Sequence, residues 1–238
     1  MKIILPKLIA HRGAPLSAPE NTLTSLRTAK SLGAQWVECD VQLTRDKRAI
    51  IFHDNTLERT TNGTGWVANT DFAAIGKLDA GSWFSQKFKG ETIPSVEAYV
   101  QCAAELALGI NIELKGTPAQ ADLLAQHVLT ALHTHWPHDL PAPLISSAST
   151  ACLQALTAQY PQGYILSRWT HNWDDITDKL GCISLHIEHQ QLNPARVEAV
   201  KRAGKKLLAY TVNDAAIATA LFDMGVDAIF TDNLKLFE

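Results

Sequence analysis

The chain has 238 residues, 46% of them apolar, and a formal net charge of −3. That length fits one large domain with a continuous core, and a near-neutral charge without any run of Lys or Arg argues against a nucleic-acid surface. No segment is apolar enough to span a bilayer, and Met1 to Pro6 is too short for a secretory h-region, which predicts a cytoplasmic protein without stable membrane association.

In chain order, apolar strand-like runs near 7–11, 36–41, 110–115, 143–147, 163–167, 182–187, 206–212 and 227–231 alternate with helical patterns near 20–32, 95–108, 118–134, 149–159, 172–179, 194–203 and 213–224. This alternation implies parallel crossovers, and closing the sheet leaves no bare edge: the predicted fold is an α/β TIM (β/α)8 barrel. A doubly wound open sheet is the competitor, but the Gly-rich first βα turn that usually marks it is absent. One stretch breaks the pattern. After Asp40, Val41–Thr44 and Ala49–Phe52 flank a polar turn and read as a β-hairpin, followed by a Thr-, Asn- and Gly-rich region holding Trp66, Trp83, Phe84 and Phe88. We read residues 42–92 as an insertion in the second βα unit, forming a small cap on a single catalytic barrel domain spanning 1–238, with its aromatics mostly as a mini-core. Cys39, Cys102, Cys152 and Cys182 form no C-x-x-C pair and read as buried free thiols.

Several apolar runs end in charge. Leu8-Ile9-Ala10 runs into His11-Arg12-Gly13, Trp36-Val37 into Glu38-Cys39-Asp40, Ile50-Ile51-Phe52 into His53-Asp54, and Ile110-Asn111-Ile112 into Glu113-Leu114-Lys115. Such ends make sense where they converge on one polar mouth, as at the C-terminal face of a β/α barrel. Glu38 and Asp40 share a strand face about 6–7 Å apart, and carboxylates that close repel unless a cation or shared proton relieves them. With Glu113 on the next barrel strand they offer three hard oxygen donors, suited to Mg²⁺ or Ca²⁺ more than to Zn²⁺. The bland alternative is a salt-bridge network with Arg12 and Lys115, which buried charge arrays seldom favour on stability grounds. His11 and His53 are the acid/base candidates, while Arg12 offers a fork and Lys115 a point charge to phosphate oxygens. Asn21 reads as the N-cap of the first helix, with Glu20 placed to hold Arg12. His133, His135 and His138 read as an exposed turn, while His186, Glu188 and His189 near the sixth strand are placed where they could reach the mouth, although the bland reading is favoured for them too.

Taken together, the motifs resemble those of the glycerophosphodiester phosphodiesterases. They run in order as His11-Arg12-Gly13, Pro19-Glu20-Asn21-Thr22, Glu38-x-Asp40-Val41, His53-Asp54, Thr56-Leu57-x-Arg59-Thr60-Thr61-Asn62-Gly63, Ile93-Pro94-Ser95-Val96-Glu97, Glu113-Leu114-Lys115, Tyr210-Thr211-Val212-Asn213 and Thr231-Asp232. The resemblance implies a barrel that releases sn-glycerol 3-phosphate and an alcohol from small deacylated phospholipids such as glycerophosphocholine or glycerophosphoethanolamine. It implies His11 and His53 as the general acid/base pair, Glu38, Asp40 and Glu113 as ligands of one divalent cation, and Arg12 and Lys115 as phosphate contacts. The missing leader matches the cytosolic bacterial branch. Two departures stand out: Asp46-Lys47-Arg48 where relatives often have Asp-Gly, expected to alter the turn, and Tyr210 where they often have Trp. We take His11 as base and His53 as acid, with attack by water or by the neighbouring glycerol hydroxyl left open, as are the head group and a homodimer. Rival readings are a membrane-acting phospholipid phosphodiesterase of the sphingomyelinase D or phosphatidylinositol-cleaving kind, a sugar-phosphate isomerase, and a barrel kept only as a binding scaffold.

Overall fold

The computed structural model describes residues 3–157 and 159–238. In chain order its elements are β1 (Leu8–Ala10), α1 (Leu23–Ser31), β2 (Trp36–Leu43), β3 (Ala49–Ile51), α2 (Phe72–Ile75), α3 (Val96–Glu105), β4 (Gly109–Leu114), α4 (Ala121–His135), β5 (Leu144–Ser147), α5 (Thr150–Ala155), β6 (Gln162–Leu166), α6 (Trp173–Lys179), β7 (Ser184–Glu188), α7 (Pro194–Arg202), β8 (Lys206–Tyr210), α8 (Ala215–Met224) and β9 (Ala228–Thr231). Strand β1 pairs parallel with both β2, through Ala10 and Val37, and β9, through Ala10 and Thr231. That double pairing closes the parallel strands β1, β2 and β4 to β9 into the TIM barrel expected from the alternation, while β3 hangs antiparallel on the outer end of β2.

The strand period of two sorts side chains between two environments. Val37, Cys39 and Val41 of β2 point outward and join one continuous cluster with Ile110, Ile112 and the inner faces of α1, α3 and α4. Trp36 points inward, packed with Ile9, Leu144, Leu208, Ala228 and Phe230 inside the barrel. Each fully buried branched aliphatic contributes about 1.5–3 kcal/mol, and this two-sided core is what lets the same strand carry Glu38 and Asp40 at 4% and 1% exposure. The four cysteines are free and buried, as expected.

The insertion begins as the predicted hairpin, with Val41 opposite Ile51 and Leu43 opposite Ala49. Lys47 at its tip adopts the left-handed backbone that a glycine would take, φ 65°, and His127 of α4 contacts its carbonyl oxygen at 2.8 Å. Farther on, the insertion builds a separate core from Ile50, Phe52, Leu57, Val67, Ile75, Ala80 and Ile93. The aromatics expected to supply that core mostly do not. Trp66 is 56% and Trp83 39% exposed, and Trp83, Phe84 and Phe88 meet edge to face outside it. Aliphatic spacing, rather than aromatic content, marked the buried positions.

Candidate active site at the barrel mouth

The strand ends deliver all seven predicted residues to one end of the barrel. His11, Arg12, Glu38, His53, Glu113 and Lys115 line a single cavity of about 600 Å³, and Asp40 lies beneath Lys115, 3.4 Å from its Nζ. Glu38, Asp40 and Glu113 each bring a carboxylate oxygen within 4.8 Å of the others. Neighbouring strands in register explain this, since Asp40 sits opposite Glu113 across β2 and β4.

The electrostatics of the three acids differ. Burial pushes the Glu38 carboxyl well above the usual carboxylate range, and the charges of Asp40 and Glu113 push it further. Glu113 is raised for the same two reasons, burial and then Asp40. Burial also works to raise Asp40, but Lys115 and then Arg12 outweigh it and hold that carboxyl below its ordinary value. Lys115 bridges Asp40 and Glu113 at 3.4 and 3.3 Å. Lys115 and Arg12, the latter also held by Glu20, leave negative charge in excess on the three clustered carboxylates, and an all-oxygen set of this kind fits a hard divalent cation.

Each imidazole is backed by a carboxylate. Nδ1 of His11 lies 2.7 Å from Asp232 Oδ1, and Nδ1 of His53 lies 2.6 Å from Asp54 Oδ1. A carboxylate on Nδ1 holds the proton there and leaves Nε2 as the exchanging nitrogen. Burial lowers the His53 pKa, against the pull of Asp40. Asp232 is itself held by Asn213, whose amide donates at 2.7 Å.

The turn after β1 shapes the rest. Arg12, Gly13 and Asn21 all have left-handed φ, 55°, 90° and 56°. This fold-back aims the Arg12 amide at Glu38 Oε2 (3.0 Å) and its guanidinium at Glu20 (2.8 Å). Asn111 Oδ1, Thr170 Oγ1 and His186 Nδ1, all in this cavity's lining, are buried without a hydrogen-bond partner, whereas Arg12 Nε stands 3.5 Å from Asp40 Oδ2. Unpaired buried polar atoms are costly, and their concentration here suits a polar ligand. A Cβ on Gly13 would stand 2.5 Å from Ser25 Oγ, which already accepts from the Ala14 amide. Gly13→Ala is therefore expected to destabilise the fold by about 2 kcal/mol, from strain at positive φ plus overpacking, read as a lower midpoint in chemical denaturation.

Asn21 is not the helix cap that its position suggested. Thr22 caps α1, accepting from the Ser25 amide, and Asn21 turns inward to donate to Asp40 Oδ2 at 2.8 Å. His133 and His135 lie at the end of α4, away from the mouth, as expected. His186 does reach the cavity wall, but as a buried ring beside Ser184, its pKa lowered to about 3 by burial. Tyr210, at the position where Trp was noted as common, donates its hydroxyl to the Leu166 carbonyl at 2.7 Å and so ties β8 to the end of β6.

The sequence profile of the Glycerophosphoryl diester phosphodiesterase family matches residues 11–236. The chain belongs to this family. A glycerophosphodiester phosphodiesterase of Caldanaerobacter subterraneus is 31% identical over 234 residues, covering 95% of this chain and 93% of its own. One of Bacillus subtilis is 31% identical over 250 residues, covering 96% of this chain and 84% of its own. Among solved structures, an Oleispira antarctica phosphodiesterase in complex with the product sn-glycerol-3-phosphate superposes with a TM-score of 0.93 at 38% identity, covering 98% of this chain and 95% of the other. As a glycerophosphodiester phosphodiesterase family member the chain is an enzyme of the phosphoric diester hydrolase class, which removes the isomerase and scaffold readings. Asp54, Asp232, Asn21 and Asn213 are the mouth residues that sequence reasoning did not assign. The His53-Asp54 dipeptide carried a signal for the first of them.

Proposed function

We propose that the protein hydrolyses small glycerophosphodiesters, such as glycerophosphocholine or glycerophosphoethanolamine, to sn-glycerol 3-phosphate and an alcohol. Glu38, Asp40 and Glu113 hold one Mg²⁺ or Ca²⁺, His11 and His53 move protons, and Arg12 and Lys115 bind the phosphate. The observation that carries this reading is the meeting, at one barrel mouth, of three clustered carboxylates and two carboxylate-backed imidazoles.

Bound among the three carboxylates, the cation would supply Lewis-acid neutralisation of phosphoryl charge. The protein's own groups account for the rest. The guanidinium of Arg12 and the ammonium of Lys115 line the same cavity and meet the charge that grows on the phosphoryl oxygens. His11, with its Nδ1 proton held by Asp232, takes the proton of the attacking oxygen on Nε2. His53 gives a proton to the departing alcohol. Its place supports that division: besides the mouth cavity that both rings line, His53 lines a second cavity with Asn55, Thr56, Trp66 and Pro118. The alcohol leaves toward this second cavity, which Glu113 and Lys115 also line. Burial disfavours the charged His53 ring in the free protein, and an arriving anionic diester raises its proton affinity.

We further take residues 1–238 as one catalytic barrel with 42–92 as its cap. Cytoplasmic residence is part of the proposal, supported by four buried free thiols. No helix among the described residues is long and apolar enough to cross a membrane. The direct test is coupled detection of sn-glycerol 3-phosphate from glycerophosphocholine in chelator, then with Mg²⁺ or Ca²⁺ restored, beside phospholipid vesicles. Cation-dependent release from the soluble diester is expected; release from vesicles alone would replace this reading with the membrane-acting one.

A further inference from the structure

Arg59 lies in the insertion, five residues beyond Asp54, and grips two carboxylates at once. Its Nε and Nη2 donate to Asp54 Oδ2 and Oδ1 at 2.6 and 2.9 Å. Its Nη1 and Nη2 donate to Glu20 Oε2 and Oε1 at 2.7 and 2.8 Å. Neither acid ends there. Asp54 Oδ1 receives His53 Nδ1 at 2.6 Å, and Glu20 Oε1 receives Arg12 Nη1 at 2.8 Å. A continuous chain, His53–Asp54–Arg59–Glu20–Arg12, therefore runs from one proposed proton-transfer group to the proposed phosphate fork. It also joins the insertion to the turn after β1, two segments that are far apart in sequence.

We propose that Arg59 is a positioning residue that sets both the His53 imidazole and the Arg12 guanidinium, so that docking of the insertion assembles the two halves of the site together. The proposal rests on the functional reading above for the roles of His53 and Arg12. Ordinary surface ion pairs contribute little, because solvent screens them and long side chains lose freedom. This one differs in geometry. The fork is bidentate to each carboxylate, and the Glu20 side chain is only 10% exposed, enclosed between two guanidiniums. The Asp54 carboxyl is held far below its usual range, by its bond to Arg59 before its bond to His53. Without Arg59, Asp54 is free to rotate off Nδ1, and Glu20 loses one of the two guanidiniums that fix its place beside Arg12.

The test compares Arg59→Ala, Arg59→Lys, Asp54→Asn and Glu20→Gln in the full-length protein loaded with cation, with glycerophosphocholine as substrate. Partners that orient a functional group typically change activity by about 10–100-fold when removed. Arg59→Ala is expected to lower kcat and raise KM together, Asp54→Asn to act mainly on kcat, and Glu20→Gln mainly on KM. Lysine, which keeps the charge but loses the fork, is expected to recover only one of the two effects. Added guanidinium ion is expected to restore rate to Arg59→Ala and not to the wild type. In the Arg59→Ala background, Asp54→Asn is expected to add far less than it costs alone. Ring ¹⁵N NMR of His53 gives a readout without turnover: a fixed Nδ1–H tautomer in the wild type and a tautomer mixture in Arg59→Ala. Wild-type kinetics in a folded Arg59→Ala, additive double-mutant losses, or an unchanged His53 tautomer would overturn the proposal. An inactive wild type with a tautomer that still responds would instead reject the function and leave the coupling standing.

Discussion

Glu113→Gln is expected to lower kcat/KM on glycerophosphocholine by about 10³-fold or more, equivalent to about 4 kcal/mol of lost transition-state stabilisation. The substitution keeps size and shape but removes one of the three charges whose oxygens lie within 4.8 Å of one another. The same change should not harm the fold. Burial and Asp40 push the Glu113 carboxyl above its ordinary range, so ionised Glu113 is a strained group in the cation-free protein. Its neutral isostere relieves repulsion on both Asp40 and Glu38, at the cost of one weak contact to Lys115 at 3.3 Å. In chelator, the variant is therefore expected to melt no lower than the wild type. Added Mg²⁺ or Ca²⁺ should raise the wild-type midpoint and leave the variant nearly unmoved, following the linkage between ligand binding and stability. Thermal melts with and without cation check this directly. A variant that melts lower in chelator would mean that Glu113 holds the barrel together, and that its effect on turnover says little about a cation.

The second large effect separates the two histidines. His53→Ala is expected to cost about 10²–10⁴-fold in kcat on glycerophosphocholine, the usual range for loss of a general acid. On a glycerophosphate ester of an acidic phenol the loss should largely vanish, because such a leaving group departs without a proton. His11→Ala should be impaired on both substrates, since the attacking oxygen still has to be deprotonated. The prediction follows from place: both rings line the mouth, and His53 also lines the neighbouring cavity that holds Trp66. Rescue of His11→Ala rather than His53→Ala by the activated ester would exchange the two roles. Steady-state kinetics of both variants on both substrates decides it.

Much of this site could be read from sequence because the strand patterns that place most of its parts are local. Alternation along β2 put Glu38 and Asp40 on one face, and strand-end placement brought His11 and Glu113 to the same mouth. What resisted reading depended on contacts that no local pattern encodes. Asp232 meets His11 from 221 positions away, although a closed barrel makes first and last strands neighbours and the pairing of Ala10 with Thr231 follows from that closure. Asn21 looked like a cap because Asn is a favoured capping residue. Its left-handed φ of 56° displaced the cap by one residue to Thr22 and freed its amide for Asp40. The insertion misled in another way. Its tryptophans suggested a core, yet Trp66 is 56% exposed, because Ile, Leu and Val at closer spacing already fill the interior. Arg59 was visible as part of a motif, but its reach to Glu20 depends on how the insertion docks.

Gathering Glu38, Asp40 and Glu113 around one divalent ion within reach of both imidazoles is the claim on which these expectations rest. Anomalous diffraction from crystals grown with Mn²⁺ tests it most directly. One peak is expected, with oxygens of all three carboxylates at about 2.0–2.6 Å. A peak elsewhere on the molecule, or none at this cluster in crystals that still turn over substrate, would contradict it.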